Sequence, residues 1–355
     1  MRITGARFPG RYIQAPGLLA RLGAEAGALG RTALCVLDGG LAGRLERLVA
    51  EGAGEALTAI CRTHGGECSE AEIAATVAEG RAAGADLVIG IGGGKTLDTA
   101  KAAAHALGLP TVVVPTIAAS DAPCSALSVV YREDGSVHYD LFLPRNPDLV
   151  LVDTRIIAEA PARFLAAGIG DALATWYEAD SSRRAGAVNC WGTHGARVAH
   201  EIARLCREVI FDHGAQALAD CDRNATTEAV EAVIEANILL SGAGFESGGV
   251  AGAHAIHHGL CELPDVHHHL HGEKVAIGVQ AMLLIHGEDD EYRRVRAFCE
   301  SVRLPVRLSG IGIDDLTNEK LAKVAARACR PGDIMHNEPI RVTPAMVADA
   351  LARMV

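Results

Sequence analysis

Seven of the fifteen histidines lie between His254 and His271, in AHAIHHGLCELPDVHHHLHGEK. Residues three or four apart share one face of a helix, and two imidazoles on one face can meet a single metal ion. His254 can therefore act with His257 or His258, while His271 approaches from beyond a loop that holds Pro264. A catalytic zinc site takes about three protein ligands and keeps one position open. The run GIGDALATW offers a carboxylate, Asp171, inside an otherwise apolar helical stretch. Such an acid is more often a helix cap or a satisfied core group. His267, His268 and His269 read as solvated loop residues, whereas His254 and His271 read as ligands.

A second cluster points to phosphate chemistry. GIGGGKTLDTAK, Gly90 to Lys101, follows an apolar run and opens a helical pattern. Backbone N–H groups at such a turn, with the helix dipole behind them, favour an anion, and glycine lets phosphates approach. The turn fits neither common fingerprint. A P-loop would need glycine where Ile89 stands, and GxGxxG would need it at Lys95. Three glycines before Lys-Thr still exceed what a tight turn requires, so a diphosphate loop is expected. Asp38 ends an earlier apolar run, where an acid can accept from a ribose diol and repel a 2′-phosphate, favouring NAD over NADP. Read alone, it is more often a plain strand-end or cap residue.

The elements that must position these groups fall into two textures. TALCVLD, DLVIGIGGG, TVVVP and LVLVD read as strands, alternating with helices over Leu41 to Glu51, Ser69 to Gly84 and Thr96 to Leu107. That alternation implies a parallel sheet covered on both faces. Ser69 with Glu72 predicts a capping box. Ser125 to Tyr131 and Val137 to Leu143 read as a hairpin turning at Asp134-Gly135. From about Pro161 the segments are long and Ala-rich: helices are expected over Arg163 to Ser181, Thr193 to Ile210, Thr226 to Ser241 and Lys274 to His286, without a strand. The expected fold is α/β plus all-α: a Rossmann-like parallel-sheet domain with a β-hairpin over 1–160, and a helical-bundle domain over 161–355.

Composition narrows the function classes. A net charge of −11 argues against a nucleic-acid partner, which needs clustered Lys and Arg. The N-terminal MRITGARFPGRY has no signal-peptide core, and no run of about 18 apolar residues marks a membrane span. The ten cysteines form no CxxC pair and read as reduced thiols, so a cytoplasmic location is expected.

Taken in order, FPGRYIQAPG, IGGGKTLDTAKA, PTIAASDAPCSALSVVY, LFLPRNPDLVLVDT, APARFLAAGIGDALATW, AGAHAIHHGL and HGEKVAIG span residues 8 to 280. As a set they resemble the glycerol dehydrogenases of the iron-containing (group III) alcohol dehydrogenase family, of dehydroquinate synthase-like fold. The resemblance implies NAD-dependent oxidation of glycerol or a related vicinal diol to dihydroxyacetone, in a homo-oligomer. It implies a metal on Asp171, His254 and His271, and a polyol contact from Asp121. It implies NAD contacts from Asp38, Gly92, Gly93, Gly94, Lys95, Thr96, Asp98, Thr116, Ser125, Leu127 and Tyr131. Iron-dependent relatives carry a further His four residues after the metal aspartate; Thr175 stands there, which favours zinc. The family usually reads PTIASTDAPCSA and HAIHN, so Ala119, Ser120 and His258 are departures near the expected substrate pocket. His258 is a candidate to carry the released proton. Glycerol-1-phosphate dehydrogenase, dehydroquinate synthase or another group III alcohol dehydrogenase is the nearest alternative. A zinc hydrolase and a His-rich metal-binding module are more distant ones.

Overall fold

The computed structural model describes every residue except Asp134, so that half of the expected Asp134-Gly135 turn lies outside the described residues. Eight strands matter to the site: β1 (Tyr12–Ala15), β2 (Thr32–Leu37), β3 (Thr58–Thr63), β4 (Leu87–Gly92), β5 (Thr111–Pro115), β6 (Leu127–Tyr131), β7 (Val137–Phe142) and β8 (Leu149–Asp153). Six form one parallel sheet in the order β1-β8-β5-β4-β2-β3. β6 and β7 form the expected antiparallel hairpin. β4, β5 and β8 are buried along their whole length, which is why they read as continuous apolar runs rather than alternating ones. The chain goes outward from β2 to β3 and then returns to β4 on the other side of β2. That reversal opens a crevice beyond the carboxyl ends of β2 and β4.

The helices longer than two turns are α1 (Ala42–Ala53), α2 (Glu70–Ala82), α3 (Gly94–Leu107), α4 (Ala162–Ala185), α5 (Arg197–Cys221), α6 (Glu228–Glu235), α7 (Ser241–Gly248), α8 (Gly252–Leu260), α9 (His271–His286), α10 (Asp289–Ser301), α11 (Asn318–Ala328) and α12 (Pro344–Ala352). One face of the sheet packs on Leu18, Leu22, Leu45 and Val49. On the other face, Val113, Val150 and Val152 join Leu165, Ile169, Leu173 and Val279 in a single core. Each fully buried Leu there stabilises by roughly 1.5–3 kcal/mol relative to exposure. A further core of Ile256, Leu260, Ile277, Val324 and Val347 ties α8 and α9 to α11 and α12, in a stretch where the sequence carries no motif.

Several expectations need correction. β1 and β3 were not foreseen: β1 is four residues long, and the edge strand β3 is half-exposed and has no apolar run. Residues 193–196 are not helical; His194–Gly195 pair in parallel with Thr4–Gly5, so the later region does contain a short strand. α5 begins at Arg197 and runs to Cys221, because its apolar face continues through Ile210, Ala217 and Leu218. The helix expected over Thr226 to Ser241 is α6 followed by a π-turn, Ala236–Leu240, and then α7. The capping box is half formed. Ser69 Oγ accepts from Glu72 N, but the Glu72 carboxylate turns to Gly65 N and Arg62. All ten cysteines are unpaired, and six are buried.

Candidate functional site

Three helices converge on one point. α4 carries Asp171, α8 carries His254 in its first turn, and α9 begins with His271. Glycines allow this approach: a Cβ on Gly272 would lie 1.7 Å from Ala167 O, and one on Gly170 would lie 2.3 Å from Gly272 O. The backbones of α4 and α9 therefore touch, which sets Asp171 Oδ1 3.1 Å from His271 Nε2. His254 Nε2 lies 3.5 Å from the same oxygen. Ligand atoms of the three residues all lie within 4.8 Å of one another. Tetrahedral ligands about 2.0–2.2 Å from a zinc ion stand roughly 3.3–3.6 Å apart, so the spacing suits one ion.

Charge supports the same fit. Asp171 and Glu178 are both buried, and among the described residues neither pairs with a Lys or Arg. Burial opposes ionisation of Asp171, yet the adjacent His271 and His254 hold its carboxyl well below the usual range. Burial likewise opposes the charged form of His254, but Glu178 and Asp171 outweigh it and raise the imidazole. Asp121 is pushed well up by burial and then by Asp171. A buried group of carboxylates and imidazoles without a fixed cation is the environment a dication completes.

The loop after β5 reaches this cluster. Asp121 N donates to Asp171 Oδ2 at 3.2 Å. Ser241 Oγ donates to Asp121 Oδ2 at 3.0 Å and lies 2.8 Å from Thr175 Oγ1. Thr175 is thus engaged in a hydroxyl pair and adds no ligand. Asn237, within the π-turn, donates to Ala118 O at 3.0 Å and Leu165 O at 3.1 Å. A π-turn shifts helical register by one residue, and here it accompanies two side chains facing the loop from one helix.

The glycine-rich turn sits at the crevice between β2 and β4. A Cβ on Gly92 would meet Asp38 Cβ at 2.9 Å and Thr96 Cβ at 2.8 Å, so that glycine serves packing. Gly93 has an ordinary φ of −81°. A Cβ on Gly94 would find nothing nearer than 4.0 Å, from Ala122 and Ser120. Neither backbone strain nor packing requires glycine at 94; the open space is where a phosphate can approach the start of α3. Asp38 closes one side, its Oδ1 accepting from Gly40 N at 2.9 Å. Thr116 N donates to Gly92 O at 3.0 Å, which places it on the same rim. Lys95 is exposed, pairs with Glu67 and lies 5.1 Å from the Tyr131 ring centroid.

Behind this rim, Lys101 Nζ donates to Ala122 O at 2.9 Å, to Ser125 O at 3.3 Å and to Leu127 O. Asp98 pairs with Lys101 at 2.9 Å and accepts from Val129 N at 3.0 Å. Asp98 is thereby committed to holding the hairpin, and its carboxylate serves the loop that carries Ser125 and Leu127. His258 is not brought to the metal cluster: its Nδ1 faces Asp333 Oδ1 at 3.8 Å. His257 turns instead to His271, Nε2 to Nδ1 at 3.1 Å, with its pKa lowered by burial and then by His271.

Sequence reading missed Glu178, Asn237, Ser241 and Glu338. Glu178 had a signal, since it follows Asp171 by seven residues, two turns along the same face. Glu338 had none; it accepts from Gly252 N at 2.6 Å across 86 residues of chain.

Residues 9–154 match the model of the iron-containing alcohol dehydrogenase family. The chain is 48% identical over 353 residues to glycerol dehydrogenase of Thermotoga maritima, covering 98% of this chain and 96% of the relative. It is 46% identical over 349 residues to glycolaldehyde reductase of Halobacterium salinarum, covering 97% and 95%. The crystal structure of a probable glycerol dehydrogenase from Sinorhizobium meliloti superposes with a TM-score of 0.94 at 41% identity, covering 99% of this chain and 98% of that one. Among the described residues, no helix is long and apolar enough to cross a membrane.

Proposed function

The chain belongs to the iron-containing alcohol dehydrogenase family, and on that premise we propose that it oxidises glycerol or a closely related vicinal diol to the hydroxyketone, dihydroxyacetone for glycerol, with NAD as hydride acceptor. The observation that carries the reading is the meeting of Asp171, His254 and His271 beside Asp121, on the loop after β5. The expected division at 160/161 enters the proposal as a division of labour: dinucleotide on the sheet side, metal on the helical side. A small polyol is the partner, the location is cytoplasmic and the assembly is a homo-oligomer.

Asp171, His254 and His271 would hold the metal, for which a carboxylate and two imidazoles make zinc the natural choice, and which supplies Lewis acidity to the hydroxyl being oxidised. The protein's own groups do the positioning. Amides at Gly93 to Thr96 bind pyrophosphate, and Asp38 accepts from the adenosine ribose. Asp121, held by Ser241, is aimed to bind the diol beside Asp171. Ser120, whose Oγ stands 4.0 Å from the Cβ position of Gly94, lies between the two halves and bears on substrate choice. Fixing diol and nicotinamide together replaces a bimolecular encounter with an oriented one.

The test is NADH formation at 340 nm with glycerol, 1,2-propanediol, 2,3-butanediol and simple alcohols, and the reverse reaction with glycolaldehyde, before and after chelation. Activity on vicinal diols, lost on chelation and restored by zinc, is the expected result. Equal activity on simple monoalcohols would remove the diol assignment, and activity untouched by chelation would remove the metal.

A further inference from the structure

Glu178 lies outside the three metal-binding residues, yet its carboxylate has little freedom. Its side chain is 1% exposed, and among the described residues its three hydrogen bonds all run to the start of α8. Oε1 accepts from Ala251 N at 2.9 Å and His254 N at 2.8 Å. Oε2 lies 2.5 Å from His254 Nδ1. A carboxylate can only accept, so His254 must carry its proton on Nδ1. In the neutral imidazole that a metal requires, Nε2 then holds the lone pair, and Nε2 is the atom that faces Asp171. His271 is supported differently, since its Nδ1 faces Nε2 of buried His257 rather than a carboxylate.

We propose that Glu178 is a positioning residue for metal binding, which fixes the Nδ1–H tautomer of His254 and adds negative charge behind it. The inference rests on the metal site proposed above. Glu178 also accepts from two helix-end amides, so a purely structural role must be separated from this one. Glu178→Gln does so. Its Oε1 can still accept from Ala251 N and His254 N, which keeps the cap. Its amide N–H₂ then occupies the Oε2 position and donates to His254 Nδ1. The imidazole proton moves to Nε2, the atom needed for ligation.

The experiment uses the full chain stripped by chelation. Zinc affinity is measured by competition with a chromophoric chelator, NAD binding by intrinsic fluorescence, and the His254 tautomer by long-range proton–nitrogen NMR. Glu178→Gln is expected to bind zinc about 10–100-fold more weakly, the usual cost of losing such a partner, with metal-free melting temperature and NAD affinity unchanged. His254 is expected to shift from a form protonated on Nδ1 to the Nε2–H form. Unchanged zinc affinity and tautomer in Glu178→Gln, alongside weakened zinc binding in Asp171→Asn, would overturn the role of Glu178 alone. Undiminished zinc binding in Asp171→Asn would overturn the metal site itself. A fall in metal-free melting temperature without a change in zinc affinity would reduce Glu178 to a cap.

Discussion

The two halves of the proposed site are built by opposite means. The phosphate side is mostly backbone: amides at one strand-to-helix turn, with Asp38 and Thr116 supplied by neighbouring strand ends. Its residues stand at the rim of a crevice, and Gly94 leaves open space. The metal side is made of side chains from three helices, with Asp171 and Glu178 each 1% exposed. An anion can be bound by dipoles that the fold already presents at a helix start. A dication needs full charges, and buried charges must be held by further partners. Glu178 stands behind His254 in that way, whereas the buried Asp98–Lys101 pair behind the glycine turn holds the hairpin.

The comparison can be broken most sharply at Asp171. Asp171→Asn is expected to abolish metal binding and reduce kcat to below about 1% of wild type, since even residues behind a ligand cost 10–100-fold. NAD binding should persist, and its loss, followed by fluorescence titration, would mean that the halves are not separable. Gly94→Ala probes the other half with a smaller effect of mixed sign. Alanine in place of a helical glycine should leave the fold intact or more stable by up to about 0.5–1 kcal/mol in thermal unfolding. The added methyl should nevertheless weaken NAD by about tenfold, or 1.4 kcal/mol. Unchanged NAD affinity would show that the space at Gly94 is not where phosphate sits. His258→Asn should have the smallest effect. It removes a partly exposed contact to Asp333, worth at most about 1 kcal/mol, and kcat should stay within about twofold. A large loss of kcat would restore His258 as the proton carrier.

What could be read from residues alone tracks how local each feature is. β4 with its glycine turn and α3 were legible because an apolar run, three glycines and a helical pattern adjoin in one stretch. Asp171 and His254 were legible as candidates because an acid in an apolar run and histidines at helical spacing can ligate a metal, although such an acid more often caps a helix or is satisfied in the core. His257 and His258 were not separable by spacing, since both lie within a turn of His254. Only the packing of α8 against α9 and α11 turned His257 to His271 and His258 toward Asp333. Asp98 likewise read as part of the cofactor turn, and only the position of the hairpin showed that it holds Val129 and Lys101.

The sequence by itself determined a parallel sheet followed by helices, the glycine-rich turn and the chemical types of the candidate metal ligands, because these depend on hydrophobic periodicity and local backbone geometry. Tertiary structure decided which atoms face which. Asp171 and His271 are 100 residues apart, and they meet because Gly170 and Gly272 let two helices touch, while Glu178 orients His254 across 76 residues. Such contacts arise from the close packing of helices, and no pattern along a single segment encodes them.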